Sequence, residues 1–360
     1  MAPSTPIKLK NHFGLCLNKM TGYDAFAILG KTSPIRQGNT NLGFCIMHKN
    51  FVRSLLIMAA SCGLAGKAQA ENTASWESVG QDDLKTTCEL SQGYRKDNLK
   101  WSIAGPHKRP NVLSELHWKD VKIHNTHLGL CFSKEHLFTS IDLAYGKVHS
   151  GKVHDRDWAF NNRKGLFSHS VSKVPHGHTL DGTVKIGMRL FPHTNLRLSP
   201  SIGYGAYEQK LSMKHGVQRS WMGHKMHKKL PKNLDSSYRA RWYGPQVGLE
   251  AGMRLSESVS LAADYNFLFP LKYTGKGHWN LRERGARHFT HNAHAYKSFG
   301  HMGKVGANWE FADNWALKAE CELMKFYAKG GRQGPKRQRV PFNKANRTST
   351  EYRLTLAYAF

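Results

Sequence analysis

Two aspartates, Asp155 and Asp157, flank Arg156 and stand just before Trp158 in the run HDRDWAF. Carboxyls this close cannot both ionise cheaply, so one holds a proton while the other accepts one, the division of labour that acid–base hydrolysis needs. A histidine able to take a proton from water would complete the set. An ordinary role is equally available: two carboxylates in a polar cavity pair with arginines, Arg156 or others on neighbouring loops. His288, His291 and His294 recur at spacings that a helix would bring together, but no carboxylate stands among them and we assign no metal to them.

The elements that position these residues show a period of two. At the C-terminus Tyr352, Leu354, Leu356, Tyr358 and Phe360 alternate with Arg353, Thr355, Ala357 and Ala359. Val259, Leu261, Ala263, Tyr265, Phe267 and Phe269 alternate with Ser260, Asp264 and Asn266; Trp315, Leu317, Ala319, Cys321 and Leu323 with Lys318, Glu320 and Glu322. The stretches 184–190 and 243–255 repeat the pattern with Lys185, Arg189, Gln246, Glu250 and Arg254 on the polar side. One apolar and one charged face suit strands with lipid outside and a polar lumen. Short turns near 132–136, 191–195, 256–258 and 312–314 alternate with long polar segments near 93–112, 149–180, 213–235, 270–294 and 328–348. The expectation is a transmembrane antiparallel up-and-down β-barrel of about ten strands, with all long loops at one end. A soluble sandwich would share the alternation, but the terminal Phe360 behind alternating aromatics favours the barrel.

The N-terminal region has a different character. His48, Lys49 and Arg53 precede an apolar run over 54–66 and the tripeptide Ala68-Gln69-Ala70, the layout of a secretory signal cleaved after Ala70. The expected division is an upstream extension over 1–46 outside the mature protein, a signal peptide over 47–70, and a barrel over 71–360. Three of the six cysteines precede the cleavage point, leaving Cys88, Cys131 and Cys321, too few and too scattered for a disulfide framework. Of the formal net charge of +28, eight basic residues and one aspartate lie before residue 71, so the barrel carries +21. Such a chain attracts polyanions. Export directs that attraction to outer-membrane lipid and anionic surface polymers, lipopolysaccharide among them, and no nucleic acid is expected. The cation runs over 224–232 and 330–339, with Arg95, Lys96, Lys108 and Arg109, form a basic crown on the long-loop side.

LSELHWKDVKI (113–123) at the second strand and HDRDWA after the third resemble, in that order, the omptins, ten-stranded outer-membrane endoproteases. PNVLSEL-W-D (110–120) and GKGHWNLR (275–282) are similar to the omptin-like family named for the Protochlamydia outer membrane protein, and the resemblance spans roughly 84–360. It implies a catalytic aspartate pair at Asp155 and Asp157, a histidine at His278 after the seventh strand, peptide substrates, no cofactor, and lipopolysaccharide as an activating or structural lipid. The pattern breaks at Lys276, where a dyad aspartate belongs, and at Thr274, where omptins place an acidic residue that binds basic side chains. Losing the carboxylate that orients an imidazole costs about 10⁴ in rate in the serine-protease analogue. Glu283 has no spacing that would replace it. The reading is therefore a surface barrel that binds anionic envelope or host components without efficient proteolysis; an omptin-type endopeptidase using Asp155, Asp157 and His278 is the alternative. A small pore ranks lower, because Glu250, Arg254, Lys318 and Glu320 can fill so narrow a lumen.

Overall fold

A computed structural model describes residues 84–191, 195–283, 287–334 and 340–360, so the expected extension and signal peptide lie outside the described residues. Within them the chain forms strands β1 (Lys85–Ile103), β2 (Ser114–Lys134), β3 (Leu137–Phe160), β4 (Lys164–Lys173) and β5 (Gly177–Met188). There follow β6 (Leu196–Trp221), β7 (His224–Lys229), β8 (Ser236–Arg254), β9 (Val259–Leu268) and β10 (Lys272–His278). The last five are β11 (His288–Ala293), β12 (Phe299–Ala312), β13 (Trp315–Lys329), β14 (Gly331–Gln333) and β15 (Val340–Ala359).

The pairing is antiparallel and closes on itself: β15 pairs with both β1 and β13, and each wall strand pairs with its neighbours in the sequence. Several wall strands are built from two segments. The seventh joins β9 to β10 across Pro270, which has no amide hydrogen to give a ladder. Counting joined segments once, the ring has ten members, the barrel the alternation predicts. Closure removes the free edges that make an open sheet sticky.

Around one half of the barrel the apolar positions face out. Val184, Ile186, Ile202, Val247, Leu249, Leu261, Leu317, Leu323, Tyr352, Leu354 and Leu356 are all exposed, forming the band that meets lipid hydrocarbon, with Trp309 and Trp315 near the short-turn rim. Their neighbours in sequence point inward into ion pairs: Arg353 to Glu320 (2.6 Å), Lys304 to Glu320 (3.1 Å), Lys318 to Glu89 (2.5 Å) and Lys185 to Asp264 (3.0 Å).

The long-loop end departs from expectation. Much of 149–180, 213–235 and 270–294 is ladder rather than loop, because β3, β4, β6, β7, β8, β10 and β11 continue the wall beyond the apolar band. Trp118, Trp242 and Trp279 are buried there in one interior cluster.

Candidate functional site

The extension is filled by rings. Trp101 of β1 lies 5.6 Å from Tyr238 of β8 and 4.5 Å from His291 of β11, centroid to centroid; Trp118 of β2 stacks on Tyr238 at 5.2 Å; Trp279 meets Phe289 at 4.7 Å. Below them Trp242, Tyr273, Phe326 and Phe342 continue the cluster. The Tyr238 hydroxyl is 2.6 Å from that of Tyr273 and 2.8 Å from His291 Nδ1, and His291 Nε2 is 2.6 Å from Gln333 Oε1. Burial pushes the His291 imidazole down to about 3, so it is a neutral member of a packed hydrogen-bond chain. On strand β11 a spacing of three puts His288 and His291 on opposite faces, so the histidine triplet does not converge.

Two glycines make this plug possible. A Cβ on Gly275 would collide with the Tyr238 hydroxyl, and one on Gly277 with the Phe289 ring. Both glycines are buried, as are Tyr273 and Trp279, while Lys272 and Lys276 are exposed. The phase of β10 is thereby set: glycines and aromatics in, lysines out. Thr274, Lys276 and His278 share the outward face, and His278 stacks on His288 at 4.7 Å.

Asp155 and Asp157 do come together. They lie within β3 rather than after it, opposite Leu116 and Ser114 of β2, and share the inward face with Val153. Burial is the main cause that lifts both carboxyls above their usual range; Asp157 adds to it at Asp155, Ser114 donates a hydrogen bond that opposes it at Asp157, and Arg282 opposes it at both. The pair therefore shares a proton near neutrality and titrates as a unit. Its positively charged neighbour is Arg282, from the turn after β10. His278, the residue before the buried Trp279 and facing the opposite way, is not among the groups acting on either carboxyl. Of the three residues expected to form one site, the structure gathers two and places the third on the other side of the wall. Arg282 was the signal missed: it closes the very segment, GKGHWNLR, that carries the resemblance.

Outside the wall, just beyond the apolar band, the register assembles a second constellation. His178 of β5 pairs with Lys210 of β6, Lys210 with Arg239 of β8, and Arg239 with Lys276 of β10, a cationic row across four strands. Glu208, beside it, is held by Arg241, by Arg239 at 3.5 Å and by His178 at 3.5 Å. Six residues further down β6 and β8, Val184, Ile186, Ile202, Tyr204, Val247, Phe267 and Phe269 line an apolar indentation of about 660 Å³.

A family model described as Protochlamydia outer membrane protein matches residues 89–360. No curated protein matches the sequence. Among solved structures, the outer membrane protease OmpT from Escherichia coli superposes with a TM-score of 0.62 at 14% identity, covering 82% of this chain and 100% of that one. The Ralstonia pickettii toluene transporter TbuX (TM-score 0.32, 9% identity, 81% and 92% covered) and the NalP autotransporter translocator domain from Neisseria meningitidis (0.32, 12%, 88% and 98%) are more distant. At these identities the likeness to OmpT is one of fold.

Proposed function

The chain belongs to the Protochlamydia outer membrane protein family, an outer-membrane β-barrel family, and from that premise we propose that it is a surface barrel whose outward cationic belt holds phosphorylated lipid headgroups. In this reading it is exported through the periplasm and its extended strands project outside the cell. The carrying observation is the row His178, Lys210, Arg239 and Lys276 above an apolar indentation. Phosphates take the cations and an acyl chain takes the groove, so one molecule satisfies both. Lysine at 276 has a use in this reading, which it lacks beside a catalytic histidine.

The test is titration of the refolded barrel with bisphosphorylated and dephosphorylated lipid A, for the native chain and for Lys210→Ser/Arg239→Ser/Lys276→Ser. At about 1 kcal/mol per lost cation near an anionic surface, the triple variant should bind the phosphorylated lipid on the order of 100-fold more weakly. Equal binding of both lipids, or an unchanged triple variant, would sink the proposal.

Peptide hydrolysis is the second reading. One observation favours it, a carboxyl pair that keeps a proton near neutrality. Without an imidazole on the same face, Asp155 or Asp157 must itself activate water while Arg282 steadies the developing negative charge. Cleavage of a peptide library that disappears in both Asp155→Ala and Arg282→Ala would establish it.

A further inference from the structure

Beyond the lipid belt, and using none of its residues, the outward face of the extended strands carries a cluster of histidines and arginines. His117 of β2 stands opposite His154 of β3, and Arg156 opposite His169 of β4. The His154 and His169 rings stack at 5.5 Å with an interplanar angle of 19°, and His154 Nδ1 is 3.2 Å from His169 Nε2. Arg156 Nη2 lies 3.4 Å from the same Nδ1. One strand further, Arg219 of β6 is 2.9 Å from His227 Nδ1 of β7.

Arginine only donates, so the contact of Arg156 with His154 Nδ1 is made when that nitrogen carries no proton; the 3.2 Å contact between His154 Nδ1 and His169 Nε2 uses one proton between the two rings. The cluster is therefore assembled with His154 neutral. The groups facing it are nearly all cationic. Lys119, Lys152 and Arg156 act on His154; Arg156, His154 and Arg219 act on His169; Lys100, His154 and Arg156 act on His117. Of the acids in reach, Glu115 is taken by Lys100 at 3.0 Å and Arg163 at 2.8 Å, and Asp120, which faces His117 and Lys119, by Lys96 at 2.8 Å. Burial and these cations hold the imidazoles low, His169 at about 4.

If His154 takes up a proton, Arg156 loses its acceptor there and both are then cationic donors, with the single unprotonated nitrogen of His169 the one acceptor left among the two rings and the guanidinium. An oxyanion supplied from outside satisfies them and cancels the repulsion that kept protons off. Neighbouring strands are about 4.8 Å apart, so the row from β2 to β7 presents successive donors along a line of roughly 20 Å. A linear chain bearing anions at short intervals fits such a row better than a single ion does, and sulfate esters keep their charge while the imidazoles titrate.

We propose that the outward face of β2, β3, β4, β6 and β7 is a proton-coupled binding site for a sulfated polysaccharide, closed by its own histidine–arginine hydrogen bonds at neutral pH and opened by acidification. Binding and proton uptake are then one event, and affinity rises by up to about tenfold per pH unit for each proton taken up.

The experiment uses the full barrel in detergent, titrated calorimetrically with dextran sulfate at pH 7.5, 6.5 and 5.5 in two buffers of different ionisation enthalpy, beside uncharged dextran and inorganic polyphosphate. The expected result is binding of dextran sulfate that tightens at least about tenfold from pH 7.5 to 5.5, with net proton uptake. His154→Phe/His169→Phe should bind with little pH dependence and no proton uptake. Arg156→Gln, which keeps both imidazoles, provides the same reading if the double variant misfolds, since its His154 should protonate more readily and move the transition to higher pH. An unaltered pH dependence in these variants overturns the proposal; equal binding of uncharged dextran does so too. Tighter binding of polyphosphate than of dextran sulfate overturns the polysaccharide assignment. The belt variant Lys210→Ser/Arg239→Ser/Lys276→Ser should retain the full pH effect, which separates failure here from failure of the lipid reading.

Discussion

At the scale of residues, the aspartate pair makes a claim about stability as well as chemistry. Both carboxyls are raised in the folded protein, burial being the main cause. Between the ordinary carboxylate value near 4 and the raised values, the folded state binds protons that the unfolded chain has released. Stability contributed by this pair is therefore greatest at low pH and is lost as pH rises through that window, the reverse of a salt-bridged aspartate. Asp155→Asn, which removes one titrating group and the repulsion, should melt at a higher temperature than the native chain at pH 8 and show a smaller difference at pH 5. A native chain that becomes more stable from pH 5 to 8, with the variant following in parallel, would refute the assignment. Glu115, next to the pair in the ladder but on the other face, behaves in the ordinary way, since Arg163 and Lys100 more than offset its burial and hold it low.

At the scale of elements, the phase of a strand decides what its residues can do. Gly277→Val places carbon where the Phe289 ring already sits, and overpacking of this kind costs about 1–3 kcal/mol. Lys276→Val, one residue away on the exposed face, should change stability by less than about 0.5 kcal/mol. Heat or urea unfolding followed by tryptophan fluorescence separates the two, and similar losses in both variants would mean that β10 is out of phase with this description. The same point explains what was legible in the sequence. Alternation over 243–255, 259–269, 315–323 and 352–358 is unambiguous because lipid demands apolar side chains on one face and the lumen tolerates charge on the other. Beyond the apolar band neither demand holds. There the inward face is aromatic and the outward face basic, so polarity no longer separates strand from loop, and 149–180 and 213–235 read as polar loops. The outward face of His278 was illegible for a related reason. A matched motif gives spacing along the chain, whereas the face is set by Tyr238 and Phe289, which need glycine opposite them.

At the scale of the whole molecule, two layers close the lumen in different ways. Across the level of the apolar band, carboxylates and cations from facing strands meet. Further out, Arg95 reaches Asp181 at 2.7 Å, Arg347 reaches Asp97 at 2.9 Å and Asn125 donates to Glu351 at 2.9 Å, with Gln209 donating to Asp97 at 2.7 Å. A cavity of about 90 Å³ remains among Glu89, His127, Asp181 and Arg353, and the aromatic plug begins above it. An ion crossing this barrel would have to displace buried ion pairs, each costly to break, and then pass between packed rings. The native chain in a planar bilayer should therefore show little steady current. Trp101→Ala/Tyr238→Ala/Phe289→Ala hollows the outer part of the plug and leaves the ion pairs, so it should raise current only modestly. Adding Arg347→Ser to that variant leaves Asp97 with Arg95 and Gln209 as partners, removes one buried cation from the second layer and loosens it, and current should then rise further and favour cations. A steady current through the native barrel that Arg347→Ser leaves unchanged would place the conducting route outside this network. Little current before the fourth substitution and a cation-selective one after it would show that the ion pairs, rather than the rings, are the decisive seal, and that this barrel's chemistry is done on its outer surfaces.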